Sequence, residues 1–551
     1  MTRRPAQGWS PAATAAVDSF RTSPLHSPLP TPPRETLVTT PAQCPLARRS
    51  AGILLHPTSL PGRFGIGEIG KEAHNWLERL AQMGQRHWQV LPLGPTGFGD
   101  SPYQTLSTFA GNPLLISFDA LLAEGLVDAN SLDPLPPLPA DHVAFGDVIG
   151  TRLGVLHGAA AAFPHRASPM LQEGLTQFID ENGWWLDDYG LFVSLKGRFD
   201  GRAWTDWPAD IAGREPGVLA AARQDLAEGI AHARIGQFLF HSQWLRLREQ
   251  AAALGISIIG DLPIFVAHDS ADVWCRPELF ALDATGRPTV VAGVPPDYFS
   301  QTGQRWGNPL YRWDVHEAEG YAWWIARLRH TFTLVDVLRI DHFRGFAAYW
   351  EIPASEPTAE HGRWVPGPGR HLFDAAAAAF GPKPIIAEDL GVITPDVEEL
   401  RDTLGFPGMR ILQFAFSSEQ TETDRPERYP INSVVYTGTH DNDTTVGWYH
   451  SEPGKDSTRT AAEIAAEQHR VRTFLGCDGA EINWDLIDLA LHTPANTVIV
   501  PLQDVLGLGS EARMNVPGRP WGNWQWRFGQ EQLRPEAEER LENLTRNANR
   551  G

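Results

Sequence analysis

Two charged residues, Arg339 and Asp341, end an otherwise apolar run that begins at Val335. Residues two apart on a β-strand point to the same side, so these two side chains should lie next to each other. A neighbouring guanidinium lowers the pKa of a carboxyl and keeps it ionised. An ionised carboxylate at the end of a strand is what a nucleophile at the C1 atom of a sugar requires. The alternative is a structural ion pair that caps a strand.

Two later stretches have the same form. One short apolar run ends in Glu388 and Asp389, and another ends in His440 and Asp441. In a parallel α/β barrel the C-terminal ends of all strands open on one face, where such enzymes carry out their chemistry. Acidic residues at the ends of several strands therefore favour one catalytic site over a set of solvated loops.

Eight apolar runs alternate with helical patterns, which predicts an α/β protein built as a (β/α)8 TIM barrel. The predicted strands are 50–56, 88–93, 256–266, 335–341, 383–388, 411–416, 433–441 and 497–504. The barrel rhythm disappears between about 114 and 230, where helical stretches predict inserted, mostly helical subdomains. No run of short alternating strands follows residue 530, so we expect no C-terminal β-sandwich domain.

The first 48 residues are rich in Pro, Ser, Thr, Arg and Ala and have no hydrophobic period, which predicts a disordered extension. A transit peptide and a misassigned start codon are both open explanations for it. The predicted organisation is a disordered extension (1–48), the barrel start (49–113), an inserted helical subdomain (114–230), the rest of the barrel (231–535) with an aromatic substrate loop (294–311), and a C-terminal tail (536–551).

Two long loops are predicted to contact a substrate. The loop from Gly94 to Asn112 is polar and Gly-rich, as substrate loops on a barrel face are, although a plain surface loop would have the same composition. The second loop, 294–311, carries aromatic residues that can cover a cleft and exclude water, and polar residues that can bind sugar hydroxyls. A packed Ω-loop is the alternative. The residues in question are Tyr298, Phe299, Gln304, Trp306 and Asn308.

Composition limits the class of partner. The chain has 551 residues and a formal net charge of -20, with 42% apolar and 20% charged residues, as in a soluble globular protein. The negative charge argues against nucleic acid and anionic membranes, because phosphate binding needs a basic surface. The three cysteines are far apart and form neither a disulfide framework nor a zinc motif, so we expect a cytoplasmic protein. No metal site is evident in the sequence, and we expect no cofactor.

A family resemblance runs from about Gly52 to Arg527. The chain resembles the 4-α-glucanotransferases of the amylomaltase (disproportionating enzyme) type, which are relatives of the α-amylases. The motifs that carry the resemblance are Gly-Asp-Leu-Pro-Ile-Phe-Val at 260–266, Pro-Pro-Asp-Tyr-Phe-Ser at 295–300, Gly-Gln-Arg-Trp-Gly-Asn-Pro at 303–309, Arg-Ile-Asp-His-Phe-Arg-Gly at 339–345, Ala-Glu-Asp-Leu-Gly at 387–391, Thr-His-Asp-Asn at 439–442 and Arg-Met-Asn-Val-Pro-Gly at 513–518.

The resemblance implies a role for each matching residue. Asp341 would be the nucleophile and form a covalent glucosyl-enzyme, and Glu388 would be the acid/base. Asp441 would bind the reacting ring with His440 beside it, and Arg339 would orient the nucleophile. Further substrate-binding residues implied in this way are Ser101, Tyr103, Asp297, Tyr298, Phe299, Trp306, Asn515 and Pro517. The family needs no metal or cofactor.

The residue types agree with these roles. A retaining mechanism needs two carboxyls about 5–5.5 Å apart, one ionised and one protonated. Arg339 favours an ionised Asp341, and the apolar run before Glu388 should raise the pKa of that carboxyl. The expected substrates are α-1,4-glucans (maltooligosaccharides, starch and glycogen), and we expect a monomer or weak homo-oligomer. An amylase-type hydrolase and a catalytically inactive glucan-binding protein are the competing hypotheses.

Overall fold

The strands form one closed barrel and one small separate sheet. The structure is a computed structural model that describes residues 44–551 apart from 134, 136, 297–301, 419–420 and 455–458. Its strands are β1 (Ser50–Leu54), β2 (His87–Gln89), β3 (Ser257–Pro263), β4 (Val290–Val294), β5 (Gln304–Pro309), β6 (Val337–Asp341), β7 (Ala348–Pro353), β8 (Arg363–Pro366), β9 (Ile385–Ala387), β10 (Gly408–Ile411), β11 (Ser433–Tyr436) and β12 (Thr497–Pro501). Strands β1, β2, β3, β6, β9, β10, β11 and β12 pair in parallel in that order and close on each other, which confirms the predicted TIM barrel.

Helices connect and surround these strands. They are α1 (Lys71–Gln82), α2 (Phe118–Ala123), α3 (Ala129–Leu132), α4 (Phe145–Arg166), α5 (Pro169–Arg198), α6 (Ala209–Ala212), α7 (Pro216–Asp225), α8 (Ala227–Ala253), α9 (Ala271–Cys275), α10 (Trp313–Ala318), α11 (Ala322–Leu334), α12 (Arg370–Phe380), α13 (Pro395–Leu404), α14 (Thr445–Tyr449), α15 (Ala461–Leu475), α16 (Ile482–His492), α17 (Leu502–Val505) and α18 (Pro535–Asn547). None of the helices in the described ranges is long and apolar enough to cross a membrane.

The barrel strands are apolar runs because they are covered on both faces. Every residue of β1, β11 and β12 is buried, as expected when side chains fill the barrel and helices surround it. Close packing also requires a glycine at position 52, because a Cβ atom at Gly52 would lie 2.4 Å from the backbone oxygen of His87. A larger residue there would therefore push β1 away from β2.

Several predicted strand boundaries are wrong. The strands predicted at 88–93, 256–266 and 433–441 end earlier, at Gln89, Pro263 and Tyr436. The sixth barrel strand is β10, which ends at Ile411, and Leu412–Phe416 form a 3-10 turn instead of a strand. A short apolar run has no period that separates strand from helix, and the position is fixed by pairing, with Gly408 beside Ala387. The eighth strand ends at Pro501, and the residues that follow form α17.

A four-stranded antiparallel sheet in the order β5-β4-β7-β8 was not predicted. Two of its strands come before β6 in the chain and two come after it, and none of the four belongs to the barrel. The predicted loop 294–311 is partly wrong, because residues 304–309 form β5 and pair with β4. Residues 297–301 of this predicted loop lie outside the described part of the chain.

The segment predicted as helical does contain helices. Residues 114–230 hold α2 to α7 and the start of α8, and the long helices α4 and α5 both pack on α8. The last segment, predicted as a tail, forms α18, whose Leu541 and Thr545 are buried. The domain boundaries given above remain predictions.

Candidate active site

A cleft of about 550 Å³ opens beside the C-terminal ends of the barrel strands. Asp341 is the last residue of β6, Glu388 follows β9, and Asp441 lies on the loop after β11. All three carboxyls line the cleft, as do these other predicted site residues: Ser101, Tyr103, Gln304, Trp306, Asn308, Arg339, His440, Asn515 and Pro517. The remaining three, Asp297, Tyr298 and Phe299, lie outside the described residues.

The predicted ion pair between Arg339 and Asp341 is present. Arg339 Nη2 lies 2.9 Å from Asp341 Oδ1, and Arg339 Nη1 donates to both oxygens of Asp261 at 2.8 and 2.7 Å. Tyr103 Oη also donates to Asp261 Oδ2 at 2.8 Å. Asp261 was not among the predicted site residues, although its charge inside an apolar strand was a signal for it.

The expectation of a low pKa for Asp341 is wrong. Burial raises its pKa to about 6, the Arg339 guanidinium acts against this, and the charges of Asp261 and Asp441 act with it. Burial is the largest cause. The negative charge of Asp261, which is bound to the same guanidinium, offsets part of the attraction that Arg339 exerts on the Asp341 carboxylate.

Glu388 is held by backbone amides. Its Oε2 accepts the His342 N–H at 2.7 Å, and its Oε1 accepts the Leu390 N–H at 2.9 Å. His342 directly follows Asp341 and adopts left-handed backbone angles, with φ 54° and ψ 48°. This conformation is unfavourable for a residue with a side chain. Here it accompanies the contact that ties the end of β6 to Glu388.

The raised pKa expected for Glu388 is confirmed. Burial raises it to about 7, the charge of Asp341 adds to the effect, and Arg339 opposes it. The pKa of Glu388 is thus higher than that of Asp341, so the pair takes up its first proton on Glu388. This arrangement provides one carboxylic acid and one carboxylate near neutral pH.

Asp441, on the loop after β11, has polar and aromatic partners. Asn515 Nδ2 donates to Asp441 Oδ1 at 2.6 Å, and His440 Nε2 lies 3.4 Å from its Oδ2. His440 stacks on Tyr103, with ring centroids 5.2 Å apart, and the ring of Trp524 is 5.9 Å from it. Trp524 was missed, because no pattern in the sequence separates it from the many core tryptophans.

Residues of β5 form another wall of the cleft. The Trp306 ring meets His342 edge-on at 4.7 Å, and its Nε1 donates to Gln304 Oε1 at 3.2 Å. Asn308 is 7% exposed and donates to the Val266 backbone oxygen at 2.9 Å. The amide of Asn308 therefore braces the wall, while Gln304 and Trp306 are more open to the cleft.

The neighbour of Glu388 has a structural role. Asp389 is 5% exposed and accepts from the Met409 N–H at 2.6 Å and from Arg401 at 2.5 Å. Consecutive residues at a strand end point to opposite sides, so Glu388 faces the cleft and Asp389 fixes the start of β10.

The barrel and its cleft define a class of protein. Two interacting carboxyls at the C-terminal ends of neighbouring strands, with one protonated more readily than the other, are the machinery of an enzyme that acts on glycosidic bonds. No cluster of three or more side chains suited to a metal ion is found among the residues that the structure describes.

Comparison with known proteins identifies the family. The family model described as 4-alpha-glucanotransferase (glycoside hydrolase family 77) matches residues 55–531. The chain is 51% identical to the 4-alpha-glucanotransferase of Thermus thermophilus over 495 residues, which is 90% of this chain and 97% of the relative. It is 48% identical to that of a Synechocystis strain over 492 residues, 89% of this chain and 95% of the relative.

A solved structure agrees with the sequence relatives. The amylomaltase of Streptococcus agalactiae in complex with acarbose is 38% identical, with a TM-score of 0.86 over 92% of this chain and 100% of the other. The chain therefore belongs to the 4-alpha-glucanotransferase family, and it is a transferase of that type.

Proposed function

We propose that the chain transfers segments of α-1,4-glucan to the 4-hydroxyl of another glucan or of glucose through a covalent glycosyl-Asp341 intermediate. The observation that carries the proposal is the carboxyl pair: Glu388, with the higher pKa, beside Asp341, which is bound to Arg339. An acid and a nucleophile at this position are what a retaining mechanism requires.

In the first step Glu388 gives its proton to the glycosidic oxygen while a carboxylate oxygen of Asp341 attacks C1. The bond between C1 and the leaving oxygen breaks, an ester forms, and the leaving chain departs with a 4-hydroxyl. Asp441 accepts hydrogen bonds from hydroxyls of the reacting ring, and Asn515 holds Asp441 in place. Positive charge that develops on the ring is stabilised by the carboxylates around it.

In the second step the ionised Glu388 takes the proton from an acceptor 4-hydroxyl. The acceptor oxygen attacks C1, the ester bond breaks, and Asp341 is a carboxylate again. Water competes for the same intermediate, so transfer depends on holding a sugar and excluding water. Trp306 and Gln304 line the cleft, and the proposal assigns them this task.

The substrates proposed are maltooligosaccharides, starch and glycogen. The S. agalactiae relative was solved with acarbose, which supports a glucan-like ligand for this cleft. We further propose a cytoplasmic enzyme that acts without a metal or cofactor, binds neither nucleic acid nor membranes, and is a monomer or weak homo-oligomer. The roles of Asp297, Tyr298 and Phe299 as contacts of the glucan belong to the same proposal.

The test is to incubate the protein with maltotriose, separate the products and count reducing ends. Glucose together with maltopentaose and longer chains, at a constant number of reducing ends, is the expected result. Rising reducing ends with only glucose and maltose would mean hydrolysis, and no turnover of any oligosaccharide would mean a binding protein.

The assigned carboxyls are tested by Asp341→Asn and Glu388→Gln. Each should reduce transfer from maltotriose by at least ~100-fold while the circular dichroism spectrum stays that of the parent. Asp374→Asn is the matched control, because Asp374 is an exposed carboxyl on α12 whose partner is Arg370. Near-normal transfer by either cleft variant would remove that residue from its role.

A further inference from the structure

Trp364 on β8 is an exposed aromatic residue in the lining of the cleft. It is 40% exposed, which is unusual for a tryptophan, because this side chain ordinarily contributes to the core. A flat aromatic face open to a sugar-binding cleft is a surface on which the apolar face of a pyranose ring can stack.

One face of the Trp364 ring is covered, and a second aromatic ring packs against it. The Arg344 guanidinium lies over one face, with its Cζ 3.9 Å from the ring centroid, and Trp350 meets the ring edge-on at 5.2 Å. Trp350 is itself fixed, because its Nε1 donates to the Ala359 backbone oxygen at 3.0 Å and it packs on Gly362. With one face covered by Arg344, Trp364 has a single face for a ligand.

The position of Trp364 relative to Glu388 tells which part of a glucan it meets. Arg344 donates a hydrogen bond to the backbone oxygen of Val392, on the loop that follows Glu388. Asp441, held by Asn515, lies on the loop after β11, two strands away from the β9 end that carries Glu388. Because the acid must reach the oxygen between the reacting ring and the leaving chain, the Glu388 side of the cleft is the side of the leaving chain and of the acceptor that replaces it.

We propose that Trp364 is the stacking platform of an acceptor subsite beyond the first acceptor ring, and that it sets the preference for acceptors longer than one glucose. The proposal rests on the proposed transfer mechanism. The guanidinium of Arg344 lies between Trp364 and the Val392 loop, so a single glucose bound next to Glu388 does not reach the indole. A second or third α-1,4-linked ring does.

The experiment measures the KM of the acceptor for glucose, maltose and maltotriose with one fixed donor. In Trp364→Ala the KM for maltose and maltotriose should rise about threefold to tenfold, the loss expected for one aromatic stacking contact, while that for glucose stays unchanged. Trp364→Phe keeps a ring on Arg344 and should behave like the parent. Phe474→Ala removes an exposed ring outside this cleft and controls for surface effects.

Each other outcome has a definite meaning. Unchanged values for all three acceptors in Trp364→Ala would overturn the proposal. An equal rise for all three, glucose included, would also overturn it, because the ring would then act only by positioning Arg344. Transfer to glucose by the parent protein and by Trp364→Ala shows that the proposed function stands even where the platform fails, and its absence in the parent would mean that the transfer mechanism itself is wrong.

Discussion

In the proposed mechanism Asp341 and Glu388 titrate as a pair, and their pKa values set the pH range of the reaction. Burial raises the pKa of Asp341 to about 6 and that of Glu388 to about 7. Attack needs an ionised Asp341 and a protonated Glu388, so the active form is most populated between these two values.

The pH profile of kcat/KM for maltotriose should therefore be bell-shaped. Activity is lost below about 6 as Asp341 takes up a proton and above about 7 as Glu388 loses one. With an α-maltosyl fluoride donor, whose leaving group needs no proton, the fall at high pH should disappear and the fall at low pH should remain. The same fall at high pH for both donors would show that Glu388 is not the acid.

At the scale of single residues, the sequence predicts which charged residues lie in the site better than it predicts their pKa values. The spacing of two residues was enough to predict that Arg339 contacts Asp341. The second partner of Arg339, Asp261, depends on the register of β3 against β6, which places these two residues side by side. Because that register is a long-range property, the division of one guanidinium between two carboxylates, and the raised pKa of Asp341, could not be predicted.

At the scale of elements, the loop that carries Asp441 is anchored by a buried carboxylate on α17. Asp504 Oδ2 accepts from the hydroxyls of Thr437 and Thr445 at 2.5 and 2.8 Å, and its Oδ1 accepts the Thr445 N–H at 2.7 Å. Thr437 and Thr445 bracket the loop with Asp441 on it. We infer that Asp504 is a positioning residue for Asp441.

Replacing Asp504 by Ala should lower kcat/KM by ~10–100-fold, the scale of a small misplacement of a group that acts in the transition state. Binding of acarbose should weaken, and Asp504→Asn should restore part of both, since an amide keeps an acceptor for the Thr445 N–H. Acarbose affinity and kcat/KM are measured well below the melting temperature of each variant.

Asp336→Ala is the matched control for this prediction. Asp336 also accepts a backbone N–H, that of Ile258 at 2.8 Å, and it pairs with Arg248, but it precedes β6 at the opposite end of the barrel. This variant should lose stability without losing acarbose affinity. Equal effects of Asp504→Ala and Asp336→Ala on acarbose binding would mean that Asp504 is only structural.

Helices could be predicted where their periodic pattern was long, and strands could be predicted where they were buried on both faces. The barrel strands and the helices α8, α12 and α16 follow from apolar runs and helical periods. The position of β10 could not be predicted, because the apolar run there continues into a 3-10 turn. The sheet of β4, β5, β7 and β8 was missed as well, since its short strands have mixed burial and pair across β6.

At the scale of the whole molecule, the two ends of the barrel have separate tasks. The proposed chemistry lies at the C-terminal ends of the strands, and stability is expected to depend on the other end. There the fully buried Arg550 joins the C-terminal segment to the barrel. Its guanidinium donates to the backbone oxygens of Ser50, Leu491, Thr493, Ala495 and Asn496.

Arg550→Ala should therefore lower the free energy of unfolding by about 2–4 kcal/mol, because it leaves several buried carbonyls without a donor. The kcat at a temperature where the variant is folded should stay that of the parent. Arg546→Ala is the control, because Arg546 is exposed and pairs with Glu542 one helical turn away, and such a pair is worth under about 0.5 kcal/mol. Chemical denaturation of the three proteins provides the comparison, and equal stability would contradict the role of Arg550.

The central claim, a covalent intermediate on Asp341, is tested most directly by trapping it. Glu388→Gln can still react with α-maltosyl fluoride, but it lacks the base that releases the product, so the intermediate should accumulate. Mass spectrometry of the intact protein and of its peptides should then show one maltosyl group on the peptide that contains Asp341, and none in the variant that also carries Asp341→Asn. Release of fluoride without an adduct, or an adduct on the peptide that contains Asp441, would contradict the account.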